Sequence, residues 1–150
     1  MKKSFLILVC VALFSMDLVA QTYEYQFITQ VESIVAGGMG RSRIVHAKQA
    51  MDHTALTMSR VDGKLDKKKV KRSDARIGNF DETKILNFYS MVGLSFENIA
   101  SNDAVMSSKL NTMSAEGWEL FSVYSGVESD SGEPDGKGIF ITRYLFRKKI

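Results

Sequence analysis

From Tyr23 the chain alternates. Tyr23, Tyr25, Phe27, Thr29 and Val31 stand on one side, and Glu24, Gln26, Ile28 and Gln30, mostly polar, stand on the other. A two-residue period of this kind predicts a half-buried strand over 23–31. Gly37-Gly38-Met39-Gly40 breaks the pattern, and Arg41-Ser42-Arg43-Ile44-Val45 predicts a second strand pairing back on the first. From 47 to 80 apolar residues are sparse, and Lys64, Lys67, Lys68, Lys69, Lys71, Arg72 and Arg76 dominate. That composition predicts a basic insertion, mobile or decorated with short strands. Ile85, Phe88, Tyr89 and Val92 then fall at helical spacing after a capping Asp81, which predicts a short helix, with strand alternation through Leu86 and Phe88 in competition.

The helical period is clearer from Asn102 or Asp103, either of which can cap a helix carrying Met106, Leu110 and Met113 as one apolar stripe. Gly117 stands where a left-handed residue closes a helix, and Trp118 follows where it can lie against Met113, so a Schellman stop is expected. Glu119–Ser125 and Ile139–Lys148, rich in Phe, Val, Ile, Tyr and Leu, predict an antiparallel pair. The loop between them holds Gly126, Gly132, Gly136, Gly138 and the single proline, Pro134. This order of elements predicts an α+β fold, with three or four mostly antiparallel strands packed on one main helix from about Asp103 to Glu116.

The first twenty residues follow other rules. Lys2 and Lys3 precede an apolar run from Phe5 to Phe14, and Leu18-Val19-Ala20 ends the stretch. This is the layout of a secretory signal peptide, and the run is too short to span a bilayer. Cys10 sits too early, after Ile7-Leu8-Val9, to serve as a lipoprotein anchor. The expectation is therefore a signal peptide over 1–20 and a single exported domain over 21–150, periplasmic or secreted, with the basic insertion at about 47–80. Removing Lys2, Lys3 and Asp17 takes 20 basic and 17 acidic residues to 18 and 16, a balance that selects no partner by itself. It also removes the only cysteine, so the remaining 130 residues must be held by a core and offer no thiol chemistry.

Ala115-Glu116-Gly117-Trp118-Glu119-Leu120 and the closing Arg143-Tyr144-Leu145-Phe146-Arg147, together with the first strand, make the chain resemble the domain of unknown function 4177 family. The resemblance covers Tyr23 to Val31 and Asp103 to Arg147, with a large insertion between. It implies a fold and no chemistry. No functional residue carries over from it, and Gly117 and Trp118 are structural on this reading.

Candidate chemistry is sparse. The glycine loop before Arg41 and Ser42 fits neither the dinucleotide fingerprint nor the Walker loop, so a turn is expected there. Glu128, Asp130, Glu133 and Asp135 lack the register of a calcium loop. No nucleophile elbow, zinc-protease motif or cysteine points to catalysis, and no cofactor is expected. His46 and His53, with Met51, Asp52 and Met58 nearby, are the residues that an exported hydrolase or metal-dependent enzyme would use. The leading expectation is a small exported binding or interaction module, not an enzyme. It would contact an envelope protein or an anionic surface through the sheet or through Lys67, Lys68, Lys69, Lys71, Arg72, Arg41 and Arg43. Export argues against nucleic acid as the partner.

The leader reading has a direct consequence. Intact-mass measurement of the exported protein is expected to show cleavage after Ala20; a soluble exported form retaining Met1 to Ala20 would overturn it.

Overall fold

The computed structural model describes residues 21–33, 41–65, 70–128 and 138–150. The expected signal peptide, the Gly37–Gly40 break, Lys67 to Lys69 and most of the acidic loop lie outside these residues.

A five-stranded antiparallel sheet forms the body, with one long helix on one face. The first strand, β1 (Tyr23–Ser33), is central and pairs on one side with β2 (Arg43–Ala47) and on the other with β9 (Ile139–Lys149). β2 pairs onward with β5 (Phe80–Lys84), and β9 with β8 (Glu119–Glu128), so the order is β5-β2-β1-β9-β8. The class is the expected α+β, with a wider sheet than three or four strands. β5 is the added edge, and its polar Phe80-Asp81-Glu82-Thr83-Lys84 hides a strand from any hydrophobic-pattern reading.

The 47–80 stretch carries small elements of its own. Asp52 caps a single 3-10 turn, His53–Leu56, by accepting the Thr54 amide at 2.9 Å. β3 (Arg60–Val61) and β4 (Lys64–Leu65) form a two-residue hairpin on Asp62-Gly63, at φ 51° and 74°. Positive φ at both turn positions is what a type I′ hairpin requires and what Asp-Gly favours.

The short helix expected through Ile85 to Val92 does not form. Instead residues 85–88 form neither helix nor strand, and β6 (Tyr89–Ser90) turns back on β7 (Gly93–Leu94). The reason is tertiary. Asn102 accepts the Leu86 amide at 2.8 Å and donates to the Leu86 carbonyl at 2.8 Å, so this backbone is already bonded side-on.

The main helix, α1 (Phe96–Ala115), begins about two turns before the expected caps. Ser95 is the N-cap, its hydroxyl accepting the Asn98 amide, while Asn102 is buried inside the helix as the clamp on Leu86. The C-terminal end follows the expectation. Gly117 lies at φ +84°, its amide donates to Ser114 and the Trp118 amide donates to Met113, both at 3.0 Å, the paired bonds of a Schellman stop. Lys148 completes the cap by donating to the Glu116 carbonyl at 2.8 Å.

α1 covers the central strands. Met106 and Met113 are buried with Ile28, Ile44, Ile85 and Phe146, and Leu110, Trp118 and Tyr144 pack on this cluster. Trp118 is half-buried, with the Lys148 ammonium over its ring. Hence Trp118→Ala is expected to cost on the order of 2 to 3 kcal/mol in urea unfolding, less than the ~3 to 5 of a fully enclosed aromatic. Gly117→Ala should cost about 1 to 2 kcal/mol for its left-handed backbone. Melts indistinguishable from wild type for both would refute this account of the helix stop.

Candidate functional site on the open face of the sheet

Pairing register decides which side chains share a face. Tyr23, Tyr25, Phe27, Thr29 and Val31 stand opposite Lys149, Arg147, Leu145, Arg143 and Ile141, so all ten lie on one side. The other side carries Gln26, Ile28 and Gln30 opposite Phe146, Tyr144 and Thr142. α1 covers this second side, because Ile28 and Phe146 are in its core and Gln26 donates to Met113 Sδ at 3.8 Å. The half-buried strand is therefore present, with the mostly polar side inward and the aromatic side outward. Only Ile28 on that inward side is a core residue, and the glutamines beside it are accommodated by specific bonds, such as Tyr144 donating to Gln30 at 3.1 Å.

No described element covers the outward face. Tyr25 and Tyr124 are each 54% exposed, and Phe27 and Phe121 each 50%. Isolated apolar residues are ordinary at a surface; a contiguous set on one sheet face marks an interaction site. Phe121 reaches the set through the bulge between Leu120 and Ser122, which turns it toward Tyr25, with ring centroids 6.2 Å apart at 71°. The Arg147 guanidinium lies between two rings, 5.0 Å from Tyr23 and 4.6 Å from Phe121. Glu119 holds it in a two-pronged bond at 2.8 and 3.1 Å, which keeps the exposed carboxyl below the usual range. The rings and cation are thus positioned before any partner arrives.

Two of the depressions on the described residues flank the rings. One, about 380 Å³, is lined by Tyr124, Ser125, Gly126, Val127, Ile141 and Arg143. The other, about 240 Å³, is lined by Val45, Ala47, Ile77 and Phe80 at the β2–β5 side. Basic side chains outnumber acidic ones here. By register, Arg43, Lys84, Arg143, Arg147 and Lys149 share the side with Glu82, Glu119 and Glu128; Glu82 is paired to Arg43 at 3.6 Å and Glu119 to Arg147.

Of the site residues expected from sequence, Arg43 is on this face and Arg41 is exposed just before β2. Lys71 and Arg72 are exposed in a turn closed by Asp74, which accepts the Lys71 amide at 3.2 Å. No ion pair or hydrogen bond among the described residues joins that turn to Arg41 or Arg43. Gly117 and Trp118 hold the helix end, as expected. The aromatic platform itself was readable in the β1 alternation, but that pattern does not say which side a helix will cover.

The histidines do not converge. His53 is exposed on the 3-10 turn, whereas His46 is 3% exposed under α1, with Lys109 donating to its Nδ1 at 3.1 Å. Among the described residues no three His, Cys, Asp or Glu side chains gather around one point. A carboxylate does sit beneath the helix: Glu32 accepts from Asn102 at 3.1 Å, and burial raises its pKa. No described helix is long and apolar enough to cross a membrane.

No family model matches the chain, and neither a curated protein nor a solved structure matches it. The site is therefore read from its own geometry.

His46 supplies a pH test. Burial and then the Lys109 and Lys48 charges lower its pKa below the ordinary 6.5, with Asp81 and Glu116 opposing. The neutral ring is what the fold accommodates, so its contribution is complete above pH 6.5 and is lost as pH falls through the lowered folded value. Glu32, raised by burial, acts in the opposite sense. Comparing wild type with His46→Gln isolates the ring: the stability advantage of wild type should shrink between pH 7.5 and 5, and a constant difference would contradict the buried neutral imidazole.

Proposed function

We propose that the mature chain is an exported binding module that holds an envelope protein or an anionic surface on the open face of its sheet. The observation that carries this reading is the row of half-exposed Tyr25, Phe27, Phe121 and Tyr124 opposite the helix, interleaved with Arg143 and Arg147. Tyr and Arg are favoured where binding energy concentrates, because each offers a large contact area with a polar end and little freedom to lose. The unbalanced positive charge supports an acidic or anionic partner. Charged rims steer association and impose salt dependence, while the rings supply the desolvated contact.

Lys67, Lys68, Lys69, Lys71 and Arg72 would add a second basic surface on the insertion, acting through charge alone. The two contributions separate by experiment. In affinity capture from the native cell envelope, Tyr25→Ser with Phe121→Ser should lose partners more than about tenfold while leaving the melting temperature within a few degrees. Replacing Lys67, Lys68, Lys69 and Lys71 with Gln should weaken capture chiefly at low salt. Retention of the same partners by the aromatic double variant would overturn the open-face reading.

A further inference from the structure

Among the described residues the sheet has two unpaired edges, and they are built differently. β5 is short, and Asp81, Glu82 and Lys84 make it a charged edge of the kind that resists pairing. β8 is ten residues long and contains no lysine, arginine or proline. Its Glu119 leans across the open face toward β9, where Arg147 neutralises it, so it does not guard the edge. The bulge lies near one end, between Leu120 and Ser122, and leaves regular pairing from Ser122 to Glu128.

Both sides of β8 carry exposed apolar residues. Leu120, Val123 and Val127 stand opposite Phe146, Tyr144 and Phe140 on the helix side, yet α1 leaves them 43%, 47% and 65% exposed. Phe121 and Tyr124 occupy the open side. A strand that binds here must bring apolar residues on both of its faces. Ordinary amphipathic strands do not; β8 itself does.

We propose that β8 pairs antiparallel with β8 of a second copy about a two-fold axis, joining two five-stranded sheets into one of ten strands. This inference does not depend on the proposed function. The regular stretch from Ser122 to Glu128 presents an edge about 23 Å long, and with side chains above and below the sheet the pair buries on the order of 700 Å² in total, the size of a weak, reversible association. The main-chain groups along β8 would gain partners, and the exposed valines would lose water. Charge does not oppose the pairing at the centre of the strand, because Ser122 to Val127 carries none. The two open faces would become one platform, with the Tyr124–Arg143 depression walled by the partner copy.

The test is sedimentation velocity of the purified exported protein from about 1 to 300 µM, a range chosen because interfaces of this size dissociate reversibly. A concentration-dependent doubling of mass is expected. Val123→Lys and, separately, Val127→Lys should leave the far-ultraviolet circular dichroism unchanged and shift the protein to monomer at least about tenfold in dissociation constant, because a lysine on an edge strand blocks pairing. Phe27→Lys, on the open face of the central strand, should leave the dimer intact. A monomer at every concentration would overturn the proposal, as would a dimer that survives both β8 substitutions but is lost with Phe27→Lys, since that pattern assigns the contact to the faces. Partner capture is measured independently with the Tyr25 and Phe121 variants, so failure of the dimer and failure of the binding reading are distinguishable.

Discussion

The seating of one helix on one side of the sheet is the constraint from which the rest follows. Asn102 fixes it. From inside α1 its amide brackets the Leu86 backbone and reaches Glu32 on β1. Around it Asn98 donates to the Asn87 carbonyl, Ser42 donates to the Asn87 side chain, and the Ser33 amide donates to Ser42. Helix, connecting segment and two strands are thereby joined through buried polar groups, and leaving any one of these unmatched would cost about 1 to 3 kcal/mol. The network matches its partners in this docking of α1, which places Ile28, Ile44 and Phe146 in one core with Met106 and Met113. With a single long helix to cover five strands, the other side keeps Tyr25, Phe27, Phe121 and Tyr124 at least half exposed.

How much of this was legible in sequence depends on the range of the interaction responsible. The end of α1 was legible to the residue, because a Schellman stop is written in Met113, Gly117 and Trp118 and depends on local backbone alone. The β8–β9 pair and the central strand were legible for the same reason. The start of α1 was not: Asn102 resembles a cap because asparagine usually is one, and only the position of Leu86, sixteen residues earlier, makes it a clamp. β5 escaped notice because an edge strand needs no hydrophobic alternation. The inward side of β1 was the least legible feature, since Gln26 and Gln30 are acceptable there only with Met113 and Tyr144 as partners.

The candidate site shows the same division. Arg43 and the rings of β1 could be named from sequence, but their common face required the register with β9, and Phe121 joined them only through a bulge. The motif that suggested the domain of unknown function 4177 family, for which no family match was found, lies in residues that build the helix end and the last strand. It accordingly speaks to architecture, while the binding reading rests on what that architecture leaves uncovered: aromatic rings around Arg147, which its partner Glu119 keeps in place.

The central claim is that β1 turns Phe27 to solvent and Ile28 to the core. The chain beyond residue 20 has no cysteine, so single thiols can report each position without background. Phe27→Cys and Ile28→Cys should be reacted with a maleimide in the folded protein. The account predicts that the thiol at 27 reacts near the rate of an unfolded control, and that the thiol at 28 reacts at least about a hundredfold more slowly, because it must wait for the structure to open. Equal rates, or protection at 27 with reactivity at 28, would contradict it.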